Sequence, residues 1–186
     1  MTYELSICIN ARNSVSLNNV SNATRILYCQ GVKAITVSIS SAETVEMLPH
    51  GVSVSRLAEQ VSSWMVPYAD TFEDTRRGIE DALTGRPAPG GFVLCASQDP
   101  TIGGALIMLG TGMSGYIPPN LLLFLAVNPD CRRSGIGSKL VTEALRRTQG
   151  PIKLHVEADN PARFLYEKQG FTTSYLDMRF KPEYRS

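Results

Sequence analysis

The sequence predicts a mixed α/β domain with strands and helices alternating along the chain. Three observations predict it. Ile35, Val37 and Ile39 alternate with Thr36, Ser38 and Ser40, which is strand period. Residues 55–83 carry apolar side chains at helical spacing. An almost unbroken apolar stretch over 120–127 runs through a glycine-bearing turn into an amphipathic helix. At 186 residues, 43% hydrophobic and 19% charged, the chain has the balance of one soluble domain with an ordinary core. A chain of this length buries roughly 70% of its unfolded surface and needs no metal or disulfide staple.

Residues 1–32, rich in Ser and Asn, read as an N-terminal extension or edge addition without assigned role, and 33–186 as the domain proper. The first strand starts at Ala34. Helices follow over 55–65, where Leu57, Val61 and Met65 stand four apart, and over 71–83, where Glu73 and Asp74 favour the helix start before Ile79 and Leu83. A loop with Pro87 and Pro89 ends the helical region. Strands over 92–96 and 105–109, parted by a turn that includes Asp99, Pro100 and Gly103, predict an antiparallel hairpin. Pro118 and Pro119 precede 120–127, a central strand covered on both faces. A helix over 137–148, a strand over 152–157, a helix over 161–169 and one or two strands over 171–180 complete the pattern.

A net charge of +1 excludes a general nucleic-acid binder, so any phosphate binding is local. The longest apolar run, 121–127, is far below the ~20 residues that cross a bilayer, and the first ten residues lack the features of a signal peptide. The expectation is a cytoplasmic protein with neither a nucleic-acid nor a membrane partner. Cys8, Cys29, Cys95 and Cys131 show no C-x-x-C spacing, and neither His50 nor His155 stands beside a cysteine. Reduced thiols and no metal site are expected.

The stretch from Val127 to Leu140 is the most informative. Ile136, Leu140, Val141, Ala144 and Leu145 line one helical face, while Lys139, Glu143, Arg146 and Arg147 face water. Gly135 and Gly137 therefore stand at a helix entrance, where backbone N–H groups lack internal partners and a phosphate is the natural guest. Arg132 and Arg133 add charge and Ser138 a hydroxyl. Neither common nucleotide template fits: Leu140 stands where G-x-G-x-x-G needs its third glycine, and G-x-x-x-x-G-K-S/T does not occur. Taken alone, the glycine pair fits equally a tight turn flanked by solvated arginines.

With Arg132-Arg133-Ser134-Gly135-Ile136-Gly137, which matches the pattern Arg/Gln-x-x-Gly-x-Gly/Ala, the chain resembles the GNAT superfamily of acyl-CoA-dependent N-acyltransferases. The resemblance extends over 92–171 and includes a second motif ending in Tyr166-Glu167-Lys168-Gln169-Gly170-Phe171. It implies a GNAT-type mixed central sheet in a three-layer α/β/α arrangement, its parallel strands splayed at a CoA cleft. It implies acetyl-CoA as co-substrate and an amine as acceptor, small molecule or peptide, with a homodimer as candidate assembly. The pantetheine arm would pair with the backbone of Leu125, Ala126 and Val127. The diphosphate would meet Arg132, Arg133, Ser134, Gly135, Ile136, Gly137 and Ser138, and Asn160 completes the set. Counted back from Tyr166, the family's asparagine falls on Asp159 instead; Asp159 or Asn160 can each cap the helix before Pro161.

Amide formation from a thioester needs a neutral amine, donors for the oxyanion and a proton for the thiolate, with no covalent intermediate. A backbone N–H near Ala126 or Val127 suits the second need. The resemblance makes Tyr166 the general acid, although Ala162, Leu165, Tyr166 and Gln169 also share a helical face that packing alone explains. His155, in a tripeptide similar to that of some N-terminal amine acetyltransferases, is the candidate base, and Glu157, on the same face, the alternative. A histidine hydrogen-bonded beneath a helix is the structural alternative. The likeness to those enzymes stops at Asn120, which occupies the place of a helpful tyrosine. The competing function is an acyl-CoA-binding module without chemistry.

Overall fold

A computed structural model describes residues 37–84, 90–98, 101–175, 177, 178 and 180. Five strands form one sheet in the order β1-β2-β3-β4-β5: β1 Ser38–Ala42, β2 Gly91–Gln98, β3 Thr101–Gly110, β4 Asn120–Val127 and β5 Ile152–Leu154. The first four pair antiparallel in sequence, and β5 joins β4 in parallel. The helices are α1 Val54–Met65, α2 Phe72–Leu83, α3 Ile136–Arg147 and α4 Ala162–Lys168.

The sheet is covered on both faces, which makes three layers. On one side Leu57, Ala58, Val61 and Trp64 of α1 and Ile79, Ala82 and Leu83 of α2 pack on Val93, Cys95, Ala105, Ile107, Phe124 and Ala126. On the other, Ile136, Leu140, Val141 and Ala144 of α3 and Tyr166 of α4 pack on Leu94, Ala96, Leu106, Met108 and Leu122. Alternate residues of β2 and β3 thus feed opposite cores, which is why both strands read as continuous apolar runs. Full burial of each large aliphatic side chain contributes about 1.5–3 kcal/mol.

Local signals set the helix starts. The Ser53 hydroxyl accepts from the Arg56 N–H, and the Thr71 hydroxyl from the Asp74 N–H. Gly78 lets α2 approach β4: a Cβ there would lie 2.5 Å from Leu123 Cδ2. Asn120 is a structural clip, its amide donating to the carbonyls of Gln149 and Pro151 and so tying the start of β4 to the turn before β5.

Several expectations change. The 1–32 extension, Ile35 and Thr36, the loop prolines, Asp99, Pro100, Cys8 and Cys29 lie outside the described residues. Gly103 belongs to β3 and not to the turn. The strand expected over 152–157 ends at Leu154. No strand forms among the described residues of 171–180, where Tyr175, Met178 and Phe180 are exposed. A strand needs a paired edge, and the described residues here pair with none.

Among the described residues no helix is long and apolar enough to cross a membrane, and no group of three His, Cys, Asp or Glu side chains gathers.

Candidate functional site

The site begins with an irregularity in β4. Phe124 pairs with Ile107 and Leu122 with Met108, so Leu123 is an extra residue, a bulge. It turns Leu123 toward the α1/α2 core, against Gly78. A bulge bends its strand, and here the bend coincides with the end of pairing to β5 at Leu122 and Leu154. Beyond that point β4 continues to Val127 with no described strand paired to its outer edge, which also explains why the strand over 152–157 is cut short.

Alternation decides which backbone groups face that gap. The Asn128 N–H donates to Gly103 O at 2.9 Å, toward β3. Successive peptide groups point to opposite sides, so those of Leu125 and Val127 face the open side and that of Ala126 the β3 ladder.

The chain then enters a tight loop. A short 3-10 turn, Pro129–Cys131, is capped by Asn128 Oδ1 accepting from the Asp130 N–H at 3.0 Å. Arg133, at φ 63, and Gly135, at φ 85, are left-handed. Alternation of this kind turns neighbouring N–H groups outward into a concave nest. The first bond into α3 is Lys139 N–H to Gly135 O at 3.0 Å, and among the described residues no acceptor takes the N–H groups of residues 133–138. The partial positive charge of the helix start lies on the same groups.

Gly137 is close-packed: a Cβ would lie 3.3 Å from Leu165 Cδ2 of α4. The sequence argument missed Gly104, where a Cβ would meet Ile136 Cγ2 at 2.8 Å and Ala126 O at 3.1 Å. It seats the first turn of α3 on β3. The available signal was a glycine pair inside an apolar strand, which marks close approach of another element.

The two arginines differ. Arg132 donates from Nη2 to Trp64 O at 2.5 Å and from Nε to Val127 O at 3.4 Å. Arg133 is exposed and hydrogen-bonds to no described residue. Ser134 Oγ donates to Cys131 O, while Ser138 Oγ accepts from Gln169 Nε2 at 2.9 Å and keeps its own proton undirected.

On the far wall Val156 packs inward, while His155 and Glu157 are exposed beyond the end of β5. Among the described residues no helix covers His155 and none hydrogen-bonds to it. Asn160, not Asp159, supplies the cap: its Oδ1 accepts from the Ala162 N–H at 2.9 Å.

Tyr166 shares one apolar cluster with Leu125 and Val127 of β4 and with Leu154 and Val156 of the parted wall. Its ring is 8% exposed and meets Phe171 edge-on at 5.8 Å. Its hydroxyl makes no hydrogen bond to a described residue, yet only Ser62 Oγ among the described residues is a sealed side-chain polar atom without a partner. The hydroxyl therefore reaches an open surface. Burial pushes the phenol up to about 12, so it is neutral and a hydrogen-bond donor at ordinary pH. The Cys95 thiol is likewise pushed up to about 12 by burial, an inert core group.

Comparisons with known proteins agree with this arrangement. Residues 89–173 match a family model described as an acetyltransferase (GNAT) domain. Cysteine-rich protein 2-binding protein of Mus musculus is 39% identical over 77 residues, which cover 38% of this chain and 10% of that protein. Mycothiol acetyltransferase of Streptomyces bingchenggensis is 29% identical over 153 residues, covering 74% of this chain and 48% of the relative. The chain thus spans half or less of the length of the curated relatives it matches. Among solved structures, a GNAT family acetyltransferase of Streptococcus pneumoniae TIGR4 superposes with a TM-score of 0.56 at 20% identity, covering 79% of this chain and 98% of that one.

Proposed function

Residues 89–173 of this chain are a GNAT domain, and from that premise we propose that the protein transfers an acetyl group from acetyl-CoA to a primary amine by direct attack, without a covalent enzyme intermediate. One observation carries the reading: six unpaired N–H groups, those of residues 133–138, open beside the unpartnered outer edge of β4. Together they suit a ligand with an anionic head and an extended, amide-bearing tail.

In this reading the N–H groups of residues 133–138 and the Arg133 side chain hold the diphosphate, aided by the Ser138 hydroxyl. The peptide group of Leu125 takes up the tail as an added strand would be taken up. Acetyl-CoA supplies the thioester, the activated acyl donor. The Val127 N–H is the donor for the developing oxyanion, and it alone of the two amides weighed from sequence faces the gap. His155 or Glu157 removes the amine's proton, directly or through water. Asn160 holds the start of α4 and so the height of Tyr166.

Tyr166 donates to the departing sulfur. Burial keeps its phenol protonated at ordinary pH, so it can give its hydrogen to the sulfur as the carbon–sulfur bond breaks, and the proton lost by the amine restores the phenol.

The test is CoA release from acetyl-CoA across a panel of amines and peptides, with Tyr166→Phe, His155→Ala and Glu157→Gln alongside. Tyr166→Phe is expected to lower turnover at least tenfold while acetyl-CoA affinity stays within about threefold. Unchanged turnover removes Tyr166 from the chemistry. Acetyl-CoA binding with no release from any amine would make the protein a binding module.

A further inference from the structure

We propose that Arg132 is a positioning residue which holds the connection between α1 and α2 across the opening between β4 and β5, and that Arg133 alone of the two arginines meets phosphate. The inference rests on the reading above for its substrate, but its structural half stands apart from it.

Trp64 lies in the last turn of α1, where carbonyls have no intrahelical donor and carry the helix's partial negative charge. Arg132 satisfies that carbonyl from the loop that follows β4, and its Nε reaches back to Val127 O on the open edge. Four residues on, the Tyr68 hydroxyl donates to Asp159 O at 3.3 Å, in the loop that follows β5. The connection is therefore tied at one end to the loop after each parallel strand. It crosses the gap at their carboxyl ends, where the tail of a bound ligand would run.

Between those ties the apolar hold is thin: Met65 packs against the α1/α2 core, and the residues after it do not. Val66 is 65% exposed and Pro67 is exposed, while the Trp64 ring is 9% exposed in the α1/α2 core. Only the Tyr68 N–H to Met65 O bond, at 2.8 Å, closes the turn internally. A guanidinium can fork to two carbonyls, whereas an ammonium is a point donor, so the arrangement calls for arginine and not lysine. Turning Arg132 toward a phosphate would strip the Trp64 carbonyl and release the connection at that end. Arg133, left-handed, exposed and without a hydrogen bond to any described residue, has no such commitment.

The experiment uses the full chain and the variants Arg132→Gln, Arg132→Lys and Arg133→Gln. Hydrogen exchange at Tyr68 is read with and without acetyl-CoA, acetyl-CoA affinity by calorimetry, and KM against kcat for the best amine. Arg132→Gln is expected to speed Tyr68 exchange at least tenfold and raise the amine KM about tenfold, with acetyl-CoA affinity within about twofold. Arg132→Lys, reaching one carbonyl only, falls between. Arg133→Gln is expected to weaken acetyl-CoA about tenfold with Tyr68 exchange unchanged. The proposal is overturned if Arg132→Gln weakens acetyl-CoA as much as Arg133→Gln and leaves Tyr68 exchange where it was. If the unaltered protein takes up no acetyl-CoA, the proposed function fails, and the exchange data still decide whether Arg132 holds the connection. Should Arg132→Gln not fold, Arg132→Lys carries the same comparison.

Discussion

The two edges of β4 are made of the same eight residues and do opposite things. Toward β3 the strand is paired from Asn120 to Val127, whereas toward β5 it is paired only over Asn120, Leu121 and Leu122. The difference comes from one inserted residue. Leu123 bulges toward α2, where Gly78 leaves room for it, and the strand is bent away from its parallel partner. A sheet edge with unpaired N–H and C=O groups is an adhesive surface, which natural proteins ordinarily cover. Here it is left open at the point where six further N–H groups emerge from the loop before α3. What holds the fold together on one side of the strand is therefore available to a ligand on the other.

That contrast is open to a direct break with one substitution on each side. Ala126→Pro removes an N–H on the β3 side and should cost about 3 kcal/mol or more, a fall of roughly 6–12 °C in thermal unfolding. Val127→Pro removes an N–H on the open side. Its cost in stability should be about 1 kcal/mol, but turnover is expected to fall about 100-fold, as for the loss of an oxyanion donor. Equal falls in Tm would mean that both groups are structural.

A smaller effect sharpens the loop's part. Gly135→Ala places a Cβ on a residue at φ 85, which costs about 1–2 kcal/mol. Because relief of that strain rotates the neighbouring N–H groups, acetyl-CoA affinity is expected to drop about tenfold, measured by calorimetry.

The smallest concerns Tyr166 in alkali. Burial raises its folded value to about 12 against about 10 for an unfolded chain, so the fold favours the neutral phenol. The stability linked to it is complete below pH 10 and is lost as pH rises through 12, roughly 2–3 kcal/mol in all. Tyr166→Phe should abolish that slope in urea titrations between pH 9 and 12, and near neutrality should leave stability almost unchanged, since the hydroxyl has no partner to lose.

Much of this was legible in the sequence, for identifiable reasons. The apolar run of β4, the strand period at Ile39 and the amphipathic face of α3 are local patterns, and Gly135 marked the tight turn into the helix because glycine has no Cβ. The motif with Arg132 and Gly137 falls on the loop that joins β4 to α3, as expected. What stayed hidden depends on contacts distant in sequence. The Leu123 bulge answers to Gly78, forty-five positions earlier, and carries no glycine or proline of its own. The early end of β5 follows from that bulge. The acceptor of the Arg132 guanidinium, the Trp64 carbonyl, stayed hidden because it arrives from another helix. One or two strands were expected over 171–180, but a stretch of sequence describes one segment and pairing requires two.

The central claim is that one edge of β4 and the loop after it form a single receptor surface. Backbone amide NMR during titration with acetyl-CoA tests it most directly. Saturable shifts should appear together at Leu125, Val127 and residues 133–138, with the amides of Ala126 and the β2–β3 hairpin scarcely moved. The absence of saturable shifts, or shifts confined to another part of the surface, would contradict it.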